Sequence, residues 1–320
     1  MSEERMLRTL VLALLVVSAA AEAQFPTKPI RVVVPFPAGS ATDTITRVLA
    51  QSVSQSIGQT VVVENKAGAD GAIAAAEVAK AAPDGHTLLM ATNSPMSAVP
   101  AMKKNPPYDP VADFTPITDV GRYTFFIVVH PSVPAKTLKE LIDHARANPG
   151  KVNYATGNTT GIVSTAFFAS LAKIDLVHVP YKGEPQALTD LVAGRVQLMF
   201  CSSGTSMPQI REGRLRPIVT TLAKRTHLLP ELPTIAEAGM PEFSITSWAG
   251  LFGPAKMPAA VVERLNKEFV AAMGRSDVQA AMEKQAFALS PSSPGELAAF
   301  VKEQMESHRR ILRAAGVEPD

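Results

Sequence analysis

A single cysteine, Cys201, stands in 320 residues. No internal disulfide can form, so stability must come from a large core. The six histidines, His86, His130, His144, His178, His227 and His308, never fall at a metal-ligating spacing, so the sequence supports no metal site. Charge of one sign is missing too. Lys and Arg number 31 against 29 acidic residues, net +2, and the cations form no stripe, which argues against a nucleic-acid partner. Neither G-x-G-x-x-G nor G-x-S-x-G occurs, so there is no dinucleotide fingerprint and no serine-hydrolase elbow. The turn at Gly68 and Gly71 is only a faint echo of a nucleotide loop. No cofactor is expected, and an enzyme is the weaker reading. With 46% hydrophobic and 19% charged residues the composition is ordinary for a globular protein, and the length suits two lobes.

The first 23 residues read as a leader. Arg5 and Arg8 precede the apolar run Leu10 to Val17, and small residues follow to Ala21-Glu22-Ala23. This is the three-part pattern of a secretory signal cut before Gln24. The run is too short for a transmembrane helix, no later segment reaches spanning length without charge, and no cysteine marks a lipid anchor. The expectation is an exported protein that does not insert into the membrane.

From Lys28 onward strands alternate with helices. Ile30–Val34, Val61–Glu64 and Thr87–Ala91 read as strands. Between them lie an amphipathic helix from about Thr42 to Ile57, closed by Gly58, and an Ala-rich helix to about Ala81. Pro106 to Pro116 reads as an irregular surface stretch. The pattern restarts at Thr124–Val129, and Thr137 with Glu140 forms a capping box. Strands at Val152–Thr156, Leu176–Val179, Val196–Phe200 and Leu215–Thr220 then alternate with helices at Ile162–Ala172, Pro185–Val192 and Thr205–Glu212. After Trp248–Pro254 the chain turns helical, with a second capping box at Ser293 and Glu296. The fold expected is α/β, each lobe a mostly parallel sheet flanked by helices.

Two strand ends stand out. Val34 leads into Pro35-Phe36-Pro37-Ala38-Gly39-Ser40-Ala41-Thr42-Asp43, and Thr156 into Gly157-Asn158-Thr159-Thr160-Gly161. Each is a small-residue loop opening onto a helix N-terminus. Unpaired N–H donors and the positive end of the helix dipole there attract anions. The bland alternative is an ordinary βα turn, capped in the first case by Thr42 or Asp43. Two such edges facing each other would clamp an anion.

Five segments carry a resemblance: Phe25 to Asp43, Val61 to Lys66, Ala79 to Leu88, His178 to Gly183, and Leu232 to Gly239. In order and spacing they resemble the extracytoplasmic solute receptors of tripartite tricarboxylate transporters, the Bug proteins, from Phe25 to the C-terminus. The resemblance implies a periplasmic, two-lobed "Venus flytrap" of the type II binding-protein class. It would bind a small carboxylate and deliver it to a membrane permease as a monomer. One lobe would comprise residues 24–124 and 246–320, the other residues 125–245, with crossovers near Tyr123–Phe125 and Ile245–Trp248. Carried over position by position, the ligand site comprises Phe36, Pro37, Ala38, Gly39, Ser40, Thr42 and Asp43; Thr92, Asn93 and Ser94; Thr156, Gly157, Asn158, Thr159, Thr160 and Gly161; and the strand end Cys201-Ser202.

The chain departs from the family at Ala38-Gly39-Ser40, where Pro-Gly-Gly is common. It departs again at Ile162, Val163 and Ala166, where His, Leu and Glu are common, and at Cys201-Ser202, where an acidic residue and Asn are frequent. The last two departures remove charge near the expected cleft. They favour a mono- or dicarboxylate without an ammonium group, with an apolar or aromatic body against Phe36, Phe167 or Trp248. Asp43 reads as a residue that orders its loop, Cys201 as a buried filler and Lys182 as solvent-facing. A sensor that passes its closed form to a signalling partner is the alternative.

Overall fold

A computed structural model describes residues 25–222, 224–243 and 245–314. The leader expected at residues 1–23 lies outside them. Two sheets organise the chain. In the first, β1 (Ile30–Val34) pairs in parallel with β2 (Val61–Asn65) and β3 (Thr87–Thr92). Strand β10 (Trp248–Pro254) runs antiparallel between β3 and β4 (Phe114–Tyr123), and β11 (Phe287–Leu289) closes the edge on β4. The second sheet has the order β7-β6-β8-β5-β9. Here β6 (Asn153–Thr156) is parallel to β7 (Val177–Pro180) and β8 (Leu198–Ser202), while β5 (Phe125–Val129) is antiparallel to β8 and to β9 (Arg216–Thr220). Both sheets are therefore mixed. The parallel character foreseen holds for β2-β1-β3 and β7-β6-β8, and the strands that switch direction are those next to the crossings between sheets.

Helices cover both faces. On the first sheet lie α1 (Ala41–Ile57), α2 (Ala72–Ala79), the short α3 (Val99–Met102), α8 (Ala259–Met273), α9 (Ser276–Lys284) and α10 (Pro294–Ala314). On the second lie α4 (Leu138–Ala147), α5 (Thr159–Ala172), α6 (Glu184–Val192) and α7 (Ser203–Arg211). The amphipathic spacing in α1 buries Ile45, Leu49, Val53 and Ile57 against the sheet, and Gly58 closes the helix in the left-handed region at φ 79°. Both capping boxes form, Thr137 with Glu140 and Ser293 with Glu296.

The two sheets meet with little chain between them. Strand β4 ends at Tyr123 and β5 begins at Phe125, so Thr124 alone bridges them. Its hydroxyl donates to the Ala286 carbonyl (2.7 Å) and its carbonyl accepts from Ser203 N–H (2.8 Å). The return crossing lies between β9 and β10. Helix α10 of the first half also meets α5 of the second. Among the described residues no helix is long and apolar enough to cross a membrane, and no cluster of three His, Cys, Asp or Glu could hold a metal ion.

Candidate functional site

The carboxyl ends of the central strands of both sheets face one gap. The loop after β1 enters it with a left-handed turn at Gly39 (φ 80°), which only glycine adopts without strain. Ser40 then caps α1, its Oγ accepting from Asp43 N–H (3.3 Å). This corrects the cap expected at Thr42 or Asp43: the helix starts one residue earlier, at Ala41. Asp43 orders the loop by another route, accepting from Gly39 N–H (3.0 Å), Arg47 Nε (3.0 Å) and Asn65 Nδ2 (2.9 Å). Burial opposes its charge, yet these donors outweigh burial and hold the carboxyl below its usual range.

On the facing side Asn158 caps α5, its Oδ1 accepting from Gly161 N–H (2.9 Å). A Cβ on Gly157 would collide with the backbone of Gly183 and Glu184. Glycine at 157 is what lets the loop before α6 lie against the loop before α5. The two halves touch directly. Ser94 Oγ and Thr160 Oγ1 share a hydrogen bond of 2.9 Å, Thr160 N–H donates to Ser94 Oγ (3.2 Å), and Gly183 packs against the ring of Pro37.

Between them lies a space of about 380 Å³ including its mouth. It is lined from the first half by Phe36, Ser40, Ala41, Thr42, Thr92, Asn93, Ser94, Tyr123 and Ser247, and from the second by Phe125, Gly157, Asn158, Thr160, Glu184 and Ser202. The N-termini of α1, α5, α6 and α7 all open here, so the positive ends of four helix dipoles converge on it, while the amides of Asp43, Thr160, Gly161 and Ser203 are already given to Ser40, Ser94, Asn158 and Thr124. Asn93 adds a side-chain donor. It is wholly buried; its Oδ1 accepts from Trp248 N–H and Ser247 Oγ (both 3.4 Å), and its Nδ2 has no protein partner. Tyr123 Oη donates to Thr42 Oγ1 (2.8 Å), which fixes one wall. Among the described residues no Lys, Arg or His lines the space.

Of the residues named from the sequence, Phe36, Ser40, Thr42, Thr92, Asn93, Ser94, Gly157, Asn158, Thr160 and Ser202 line this space together. Pro37, Ala38, Gly39, Asp43, Thr156, Thr159 and Gly161 shape the loops behind it. Thr159 is buried with its Oγ1 unpartnered. Cys201 points into the core beside Phe126 and Met199, and burial pushes its thiol well above the ordinary value, so it is inert. Lys182 is exposed and outside the lining. Two aromatic contacts are corrected. Phe167 stacks on Phe243 in the core, and Trp248 is fully buried against Phe252 and Phe300.

The sequence reading missed Ala41, Tyr123, Phe125, Ser247 and, above all, Glu184. Glu184 opens α6 after the Gly183 cap and is 6% exposed. Its Oε2 accepts from Ser202 Oγ (2.6 Å), Thr205 Oγ1 (2.9 Å) and Ser202 N–H (3.4 Å), and its Oε1 from Asn158 Nδ2 (3.4 Å). Burial pushes the carboxyl above its usual range, against the pull of these donors. The cleft therefore keeps an acidic side chain that the reading from Ala166 and Cys201 did not count.

The comparisons with known proteins agree with this architecture. The sequence pattern of the tripartite tricarboxylate transporter family receptors matches residues 45–317. The chain belongs to that family. A UPF0065 protein from the tcbD-tcbE intergenic region of a Pseudomonas species is 39% identical over 292 residues, 90% of this chain and 86% of the relative. The structure of R. palustris Rpa4515 with adipate superimposes with a TM-score of 0.90 at 32% identity, covering 93% of this chain and all of that one. Periplasmic binding protein BugD gives 0.88 at 33%, covering 92% and 100%. The receptor thus has the two-lobed periplasmic binding-protein fold, and its relatives are solute-binding proteins.

Proposed function

We propose that this receptor captures a small carboxylate between its lobes in the periplasm and hands it to the membrane permease of a tripartite tricarboxylate transporter, breaking no bond. The observation that carries this reading is the gap itself. Four helix N-termini and the unpaired Asn93 Nδ2 converge on it from both halves, with no cation among its described lining residues. An anion held there is neutralised by oriented dipoles, as a carboxylate is by backbone donors. The adipate in Rpa4515 is in keeping with such a guest. Charge-assisted hydrogen bonds contribute roughly 1.5–3 kcal/mol each, so four or five preorganised donors reach micromolar affinity after ordering costs.

In this reading residues 24–124 and 246–320 form one lobe and 125–245 the other, and the protein works as a monomer after its leader is removed. The contact residues are the lining ones named above. Differential scanning fluorimetry of the purified mature protein against carboxylates of two to six carbons, benzoate and neutral amides tests it. Acids should raise the melting temperature by several degrees and amides should not. Equal responses to acids and amides would refute the carboxylate reading.

A further inference from the structure

Among the described residues that line the gap, Glu184 is the one acidic side chain. Glu184 sits where the N-termini of α6 and α7 meet, accepting from Ser202 and Thr205 at one oxygen and from Asn158 at the other. In effect the protein has already placed a carboxylate on the second-lobe end of an anion site. The first-lobe end, with α1 and the unpaired Asn93 amide, remains open to a guest. Among the described residues no Lys, Arg or His lines the gap to offset a further charge.

We propose that Glu184 sets the specificity of this receptor: the guest carries one carboxylate, held at the Asn93 end, and a hydrogen-bond donor, a hydroxyl or an ammonium, that meets Glu184. This deepens the carboxylate reading above and rests on it. The physical ground is the sign of the two ends. A second carboxylate on the guest would face the Glu184 carboxyl in a weakly screened space, where the two cannot both ionise without strong repulsion. Glu184 Oε1 accepts only one long bond, from Asn158 Nδ2 at 3.4 Å, so it has room for a second donor that a methyl group on the guest cannot supply. A hydroxyl or ammonium satisfies it. The groups packed around Glu184 that could answer its charge are the hydroxyls of Ser202 and Thr205 and the amide of Asn158. The ionisable side chains near it, Tyr123 and Cys201, are neutral where buried.

Isothermal titration of the mature protein with four acids of similar size tests this: propionate, lactate, alanine and malate. In the wild type, lactate or alanine should bind at least tenfold more tightly than propionate, and malate at least tenfold more weakly than the tighter of the two. The pair lactate and alanine then tells whether the donor is a hydroxyl or an ammonium. Glu184→Gln, checked by circular dichroism, should shrink the preference over propionate to under threefold and strengthen malate by tenfold or more. Propionate binding as tightly as lactate and alanine would overturn the proposal on the wild type alone, without recourse to the variant. So would malate binding as tightly as lactate. In either case acids still bind, and the carboxylate reading stands while this inference falls. Absence of binding by every acid in the wider fluorimetry series would end both.

Discussion

At the scale of single residues, the site turns on two buried polar side chains that behave oppositely. Asn93 has a donor with nothing to give to, and Glu184 has an acceptor surrounded by donors. Asn93→Ala removes the unpaired Nδ2 and should weaken acid binding by about tenfold, the worth of one charge-assisted hydrogen bond, measured by titration. Its effect on the ligand-free melting temperature should be small, because the bonds lost at Oδ1 are long. Glu184 makes a pH prediction. Its carboxyl is raised in the folded state, first by burial, so the folded chain holds a proton that the unfolded chain has already released. Stability therefore falls as pH rises from the ordinary value of 4.5 through the raised one, and the deficit persists above it. Gln does not titrate. The ligand-free melting temperature of Glu184→Gln should gain on the wild type as pH goes from about 4 to about 8. A difference that stays constant across that range would show that Glu184 titrates normally.

At the scale of elements, the loop before α5 and the loop before α6 are built to touch, and Gly157 is the residue that permits it. Gly157→Ala places a methyl against the backbone of Gly183 and Glu184, which no side-chain rotation relieves. Overpacking of this kind costs about 1–3 kcal/mol, so the melting temperature should fall by several degrees and acid affinity should drop with it. A variant with wild-type melting and affinity would mean that the loops part easily. The same loops show what sequence can and cannot reveal. The strand-loop-helix units around Gly39 and Gly157 were legible because small residues between an apolar run and an amphipathic helix are local signals. Strand β4 was not, since its Pro116 reads as a breaker. It is accommodated where the ladder with β10 shifts register, opposite Phe252. Strand β11 is three residues long and leaves no periodic trace. Glu184, after Gly183 and before Pro185, looks in sequence like any exposed first-turn acid. Only the packing of one half against the other buries it, and that is a property of no single segment.

At the scale of the whole molecule, the two halves meet across the gap through identifiable contacts. Ser94 and Thr160 join across the gap, Pro37 lies on Gly183, and Thr124 with the β9–β10 connection carries the chain between lobes. A guest that touches both lobes only when they meet shifts the population toward this form by its differential affinity. Small-angle scattering should therefore show the radius of gyration of the mature protein falling on saturation with a binding acid, as hinge closure requires. Ser94→Ala separates closure from direct contact. It deletes the acceptor for Thr160 N–H and the partner of Thr160 Oγ1, both of which exist only when the lobes meet. A bond of this kind is worth about 0.5–1.5 kcal/mol, so acid affinity should fall by about two- to tenfold. If the loss acts through closure, the ligand-free variant is more open than the wild type and its radius of gyration is larger, while the two coincide once saturated with acid. If Ser94 acts only by touching the guest, affinity falls with no change in the ligand-free radius. That second result would place the closing force elsewhere, in Pro37 against Gly183 and in α10 against α5.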